Sequence, residues 1–113
     1  MKVLMVEPGK AAYEAEIGGS LDDMQKIVGG YIEVVYPYEE LVAIVCNEEG
    51  KIEGLPLNRA LRDENGQIYD IIAGTFFICG LSEDNFASLA PEHMEKFKRQ
   101  FRAPEIFSTP QRK

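Results

Sequence analysis

Apolar and polar residues follow one another in short patterns that predict a protein built mainly of β-strands. Lys2–Val6 is apolar after its first residue, which is typical of a strand covered on both faces of a sheet. Residues 13–17 alternate apolar and acidic side chains, which predicts a strand with one buried face. Further strands are predicted at residues 31–36, 41–46, 51–53, 67–70 and 75–79.

Two longer segments carry the signals of amphipathic helices. Leu21–Val28 follows Ser20, whose hydroxyl suits an N-cap, and two glycines end it. A second helix is predicted to begin at Pro91, with an apolar stripe along one side. Residues 57–61 have helical spacing over one to two turns, and the polar residues 82–85 resemble a capping cluster.

These elements predict an α+β domain with a mainly antiparallel sheet of about five to six strands and the two helices packed on it. The chain has 113 residues, a length that fits one domain with a substantial core. We place this domain at residues 1–102. From residue 103 the composition becomes polar and proline-containing, which predicts a disordered basic tail over residues 103–113.

Charge is divided unevenly along the chain, whose net charge is −7. Residues 1–91 contain 16 acidic and 6 basic residues, whereas residues 92–113 contain 3 acidic and 6 basic residues. An acidic body argues against direct binding of nucleic acid, whose phosphates repel it. It favours a basic protein partner, such as a DNA-binding or defence protein, although acidic residues also serve simply to keep a small domain soluble.

The two cysteines, Cys46 and Cys79, lie inside apolar runs, which predicts buried structural thiols. A metal site would need both thiols, His93 and a carboxylate to converge, and the spacing does not indicate this, so no metal or cofactor is expected. No apolar run approaches the roughly 20 residues that cross a bilayer. Together with the charged N-terminal stretch, this predicts a cytoplasmic protein without membrane contact.

Candidate binding residues cluster in the stretch EGLPLNRALRDENGQIYDIIAGTFFICG, which holds the least ordinary local chemistry of the chain. They are Asn58, Arg59, Arg62, Asp70 and Thr75. An arginine fork suits a carboxylate or phosphate, and a neighbouring asparagine suits a polar edge. The alternative is that these arginines pair with acidic neighbours and have a structural role.

The residues EPG near the start and three longer segments resemble the small bacterial family catalogued as domain of unknown function 3846. The segments are SLDDMQKIVGGYIEVVYP, NEEGKIEGLPLNRAL and DIIAGTFFICGL. The resemblance covers residues 2 to about 101 and implies a Firmicutes protein encoded on plasmids, phages or integrative elements. It implies no activity, and therefore no catalytic residues. The residues that match the recurring pattern of the family are Gly29, Gly30, Gly54, Pro56, Asn58, Arg59, Gly74, Thr75 and Gly80.

The sequence therefore favours an accessory protein of a mobile element that acts by binding a protein partner. The alternative is a small-molecule or nucleotide-binding module that uses Asn58 and Arg59. An enzyme is least favoured, because the chain contains no phosphate-loop, nucleophile-elbow or zinc-peptidase motif. Edge strands in so small a sheet leave homodimerisation open.

Overall fold

The computed structural model describes residues 1–107 and has the predicted α+β fold. Six strands form one antiparallel sheet, and two more form a separate antiparallel ribbon. The strands are β1 Lys2–Val6, β2 Tyr13–Glu16, β3 Ile32–Val35, β4 Val42–Asn47, β5 Leu57–Arg62, β6 Ile68–Ala73, β7 Phe76–Ser82 and β8 Asn85–Ala87. The helices are α1 Leu21–Val28 and α2 Pro91–Gln100.

The central strand of the sheet is β7, and the strand order is β2-β1-β7-β4-β3. Residues Phe76, Phe77, Ile78 and Cys79 of β7 have no exposed surface, which fits the predicted strand buried on both faces. The short strand β8 pairs with the last three residues of β7. The two outer strands of this order, β2 and β3, form the edges of the sheet.

Each face of the sheet has its own apolar core. On one face, Met24 and Val28 of α1 pack against β1, β4 and β7. On the opposite face, Phe97 of α2 joins Leu61 of β5 and Ile72 of β6 in a second core. The β5–β6 ribbon and α2 therefore cover the same face together, and the ribbon carries the predicted candidate residues into that layer.

Residues 57–61 form strand β5 instead of the predicted helical turns. Their side chains are buried from Asn58 to Leu61, and the strand pairs with β6 along its length. A helix would expose part of this segment and break the pairing, so long-range contacts outweigh the local spacing.

Two shorter predictions also differ from the structure. Residues 51–53 form a turn instead of a strand, in which the Glu53 amide donates to the Glu49 carbonyl over 2.8 Å. Residues 82–85 form the hairpin between β7 and β8 instead of capping a helix. The pairing of β7 with β8 decided the outcome at residues 82–85, whereas hydrogen bonds within residues 49–55 hold residues 51–53 in a turn.

The tail prediction is tested only in small part. Residues 103–107 are described, and Glu105 contacts β5, while residues 108–113 lie outside the described residues. The boundary at residue 102 and the disordered basic tail stay predictions. Neither helix within residues 1–107 is long and apolar enough to span a membrane.

Candidate functional site

Asn58 and Arg59 lie completely inside the protein, with no exposed surface. Neighbouring residues of a regular strand point to opposite faces, but the pairing of β5 with β6 shifts register between Leu57 and Arg59. This bulge accompanies the burial of both polar side chains. The Asn58 amide nitrogen donates to the carbonyls of Val6 and Gly74, each over 2.9 Å.

The Arg59 guanidinium is held by oxygen atoms from distant parts of the chain. Its Nη1 donates to Asn58 Oδ1 over 2.9 Å, and its Nη2 donates to the carbonyls of Lys10 over 2.6 Å and Phe101 over 2.8 Å. The Phe101 carbonyl lies at the C-terminal end of α2, where the helix dipole favours a positive charge. Arg59 Nε is buried without a partner in the part of the chain that the structure describes.

Glu105 brings a negative charge close to this pair. Burial lowers the pKa of Arg59, and the Glu105 carboxylate opposes that shift. One Glu105 oxygen accepts from the Ala60 amide over 3.2 Å, and the other accepts from Arg62 Nη2 over 3.1 Å. We call Asn58, Arg59 and Glu105 the polar cluster, which ties β5 to β1, to α2 and to the segment after α2.

The remaining predicted candidates do not join Asn58 and Arg59 in one cleft. Arg62 is exposed and pairs with Glu105. Asp70 is exposed on β6, where it forms an ion pair with Lys51 and accepts from the Ile71 amide. Thr75 is partly exposed just before β7. As binding residues all five stay predictions, and the structure gives Asn58 and Arg59 a clear structural role.

A different set of residues surrounds a cleft of about 230 Å³ between β3, β4 and β6. Its floor includes the buried side chains of Cys46, Leu61 and Ile72. Its rim carries five charged residues, and we call the whole site the acidic cleft. These rim residues are Glu33, Glu48, Glu49, Lys51 and Asp70.

The rim has an excess of negative charge. Lys51 and Asp70 neutralise each other in an ion pair. Glu33, Glu48 and Glu49, which we call the cleft glutamates, form no ion pair with any residue between 1 and 107. Three uncompensated carboxylates around one cleft raise the local affinity for a cation.

A buried polar side chain anchors the turn that carries Glu48 and Glu49. Asn47, whose side chain is buried, donates from Nδ2 to the Val28 carbonyl over 3.1 Å at the end of α1. Its Oδ1 accepts from the Glu49 amide over 2.7 Å. Because a buried asparagine fixes the turn, the two glutamates are held at the rim before any partner binds.

The thiol in the floor of the acidic cleft is not a reactive group. Burial and the nearby Glu33 carboxylate raise the pKa of Cys46 to about 12, and its Sγ lies 3.6 Å from the Glu33 carbonyl oxygen. Burial likewise raises the pKa of Cys79 to about 12. Both are therefore neutral thiols near pH 7, where nucleophilic chemistry needs a thiolate.

Sequence reasoning did not single out the cleft glutamates. Glu33 looked like one polar position in a strand, and Glu48 and Glu49 looked like solvated turn residues. The available signal was the turn Asn-Glu-Glu-Gly directly after an apolar strand. The strand that lies opposite that turn was not predicted, because residues 57–61 were interpreted as helical and the β5–β6 ribbon was therefore missed.

Comparison with known proteins gives a family match over most of the chain. A family model described as "Domain of unknown function (DUF3846)" matches residues 1–102. No curated protein and no solved structure matches the chain. The matched region contains all of the strands and helices named above, together with the acidic cleft.

Proposed function

The chain belongs to the DUF3846 family, and from that premise we propose that it is an accessory protein that binds a basic segment of a protein partner in the acidic cleft. The observation that carries the proposal is the set of three carboxylates that form no ion pair within residues 1–107 and lie around an apolar floor. Lysine and arginine side chains complement this arrangement, because each has an apolar stem and a positively charged end. The cleft therefore offers each part of such a side chain a matching surface.

The size of the cleft supports a side chain as the bound group. Sites for drug-sized ligands usually measure about 300–1,000 Å³, and this one measures about 230 Å³. A cleft of that size accepts one or two side chains of a larger partner. The rest of the binding energy would then come from the surface around the rim, which is polar and exposed at Glu48, Glu49 and Lys51.

A DNA-binding or defence protein is the class of partner that this charge favours. Proteins that bind nucleic acid present lysine and arginine to phosphate groups, and an acidic surface competes for the same side chains. Encoding on a mobile element and a cytoplasmic location remain part of the proposal. They supply a setting in which blocking such a protein is useful to the element.

The test uses a defined probe, an eight-residue peptide of alternating arginine and serine with both ends blocked. Isothermal titration calorimetry measures its affinity for the wild type and for a variant in which all three cleft glutamates are replaced by glutamine. The control variant carries Glu39→Gln, Glu64→Gln and Glu92→Gln, which are exposed and outside the acidic cleft. Both variants have the same net charge.

We expect the cleft variant to bind at least about tenfold more weakly and the control to stay within about twofold of the wild type. Binding to the wild type should also weaken as salt rises, because the attraction is between charges. Equal losses in both variants would mean that only the overall charge matters, and would overturn the assignment of the acidic cleft.

The second candidate is the small-molecule or nucleotide-binding module that uses Asn58 and Arg59. The specific observation in its favour is the buried Arg59 Nε that lacks a partner within residues 1–107. Against it, both side chains already donate to protein carbonyls and neither reaches the surface. Native mass spectrometry of gently purified protein tests it: a bound small molecule that Arg59→Lys abolishes supports it, and a clean apo mass contradicts it.

A further inference from the structure

The outer edge of β3 presents backbone groups that no strand within residues 1–107 pairs with. Toward β4, Glu33 lies opposite Cys46, Val35 lies opposite Ile44, and the Glu48 amide donates to the Tyr31 carbonyl over 2.9 Å. Hydrogen-bonded pairs alternate along an antiparallel ladder, so residues 31, 33 and 35 face β4. The N–H and C=O groups of Ile32 and Val34 therefore point away from the sheet.

The opposite edge of the sheet, strand β2, is better protected. Its two glutamates are both exposed, and each forms an ion pair within the protein, Glu14 with Lys98 and Glu16 with the N-terminal amine. Inside β3 the only charged residue is Glu33. Because charges on an edge strand discourage pairing with other strands, β3 is the more accessible of the two edges.

Exposed tyrosines flank β3 at both ends. Tyr31 is 69% exposed and Tyr36 is 63% exposed. A large aromatic side chain of this exposure is costly to leave in water, whereas cross-strand contact with a β-branched residue stabilises a sheet. An antiparallel partner strand with the same sequence would bring Tyr36 of one copy close to Ile32 of the other.

From this edge we propose that a second copy of the chain pairs with the first through β3, antiparallel and about a twofold axis at Val34. In this register Val34 of one copy lies opposite Val34 of the other, and Ile32 lies opposite Tyr36. The outward-facing N–H and C=O groups of residues 32, 34 and 36 then all lie opposite such groups of the other copy. The two six-stranded sheets become continuous.

Charge excludes one of the two neighbouring registers, the one centred on Glu33. Around a twofold axis, residues that lie opposite each other point to the same face of the sheet. An alternative register therefore shifts the partner of each residue by two positions. Moving the axis to Glu33 would place the two Glu33 carboxylates directly opposite each other, which destabilises a strand pair. With the axis at Val34, each Glu33 lies opposite Val35 of the other copy.

The dimer responds to salt in the opposite sense from partner binding at the acidic cleft. Each copy carries a net charge of −7, so bringing two copies together costs electrostatic repulsion. Salt screens that repulsion and should strengthen the dimer. This inference does not depend on the proposed function, and either one stands if the other fails.

Sedimentation velocity on the wild-type chain at 5–200 µM tests the pairing, with the variant Val34→Pro as the comparison. The Val34 N–H points outward, so proline removes no hydrogen bond within one copy and is tolerated on an edge strand. The matched control is Glu14→Pro on β2, since the alternation that places the Ile17 amide on the Met1 carbonyl directs the Glu14 N–H outward as well.

We expect the wild type and Glu14→Pro to dimerise, and Val34→Pro to remain monomeric with an unchanged circular dichroism spectrum. A wild type that is monomeric at 200 µM and 0.5 M salt would overturn the proposal. So would a Val34→Pro variant that is folded and still dimeric.

A second variant guards against misfolding of the proline substitution. With Val34→Cys, the paired Cα atoms lie about 5.5 Å apart in the proposed register, which is within disulfide range. Native Cys46 and Cys79 are buried and do not compete. Oxidised glutathione should cross-link Val34→Cys but not Glu14→Cys into a covalent dimer; equal cross-linking of both would contradict the register.

Discussion

At the scale of single residues, the hydrogen bonds of Arg59 explain why an arginine is buried inside this small domain. Its fork donates to a side-chain amide and to two backbone carbonyls that belong to separate elements. A lysine has one compact ammonium and does not reproduce that planar geometry. Arg62 three positions later is exposed and makes one ion pair, so the two arginines of β5 form a natural comparison.

Arg59→Lys should therefore lower the free energy of unfolding by about 3 kcal/mol, because buried acceptors lose their donors and a buried charge is less well compensated. Arg62→Lys should lower it by less than about 1 kcal/mol, as for other exposed pairs. Urea unfolding followed by circular dichroism measures both. Similar small losses in the two variants would contradict the structural role of Arg59.

The buried thiols predict how stability depends on pH. Burial raises the pKa of Cys79 to about 12 in the folded protein, whereas an unfolded cysteine has a pKa near 8.5–9. Above about pH 9 the unfolded chain loses this proton while the folded chain keeps it. The contribution of the protonated Cys79 thiol to the free energy of unfolding is thus fully present below pH 9 and is lost as the pH rises toward 12.

Urea unfolding at pH 8.0 and pH 10.5 should show a smaller loss of stability in Cys79→Ala than in the wild type. The difference should be about 2–3 kcal/mol, since one such group contributes about 1.4 kcal/mol for each pH unit above the pKa of the unfolded cysteine. The comparison between the two pH values removes the constant cost of the truncated side chain. A wild type and variant with parallel pH profiles would contradict the raised pKa.

Part of the polar cluster was predictable from sequence and part was not. Asn58 and Arg59 were predicted as candidates because an arginine fork beside an asparagine suits a polar ligand. Their inward direction depends on partners far away in sequence, such as Val6 and Phe101. Glu105 was assigned to a loose tail because composition reports polarity but not which strand a segment lies against.

At the scale of elements, β5 and β6 illustrate how pairing overrides local preference. The helical spacing of residues 57–61 is real, but Leu61 and Ile72 complete the core under α2 only if the segment is a strand. Five of the six strands of the main sheet were predicted because they alternate or are apolar throughout, whereas β8 was not predicted. The tight turn into β7 at Gly74 links the ribbon to the sheet.

Gly74 should be the more sensitive of two glycines in this region. It has φ +84°, and an added Cβ would lie 2.7 Å from Leu55 Cδ1, while its carbonyl accepts from Asn58. Gly66 has a similar φ of +79° but open space around it. Gly74→Ala should cost about 2–3 kcal/mol and Gly66→Ala about 1 kcal/mol.

Thermal unfolding of the two alanine variants measures this difference. At about 4–8 °C per kcal/mol for a domain of this size, Gly74→Ala should melt clearly below Gly66→Ala. Equal melting temperatures would show that backbone conformation alone sets the cost, and that the packing of Leu55 on the turn contributes nothing.

At the scale of the whole molecule, the division of charge seen along the chain becomes a division in space. Several basic residues line a groove of about 510 Å³ beside α2, whereas the cleft glutamates lie on β3 and in the turn after β4. In the groove, Lys98 pairs with Glu14 and Arg99 pairs with Glu95, so its charge is partly compensated. The charge of the cleft glutamates, which no ion pair within residues 1–107 compensates, is what sets the acidic cleft apart from this groove.

The most direct test of the central claim is to map where the arginine–serine peptide binds by nuclear magnetic resonance. Backbone amide shifts of an isotope-labelled wild type would be followed during titration with the peptide. We expect the largest changes at Glu33, Cys46 and residues 48–51, with little change at residues 10, 59 and 101. Changes concentrated around Arg59, or spread evenly over all acidic residues, would contradict binding in the acidic cleft.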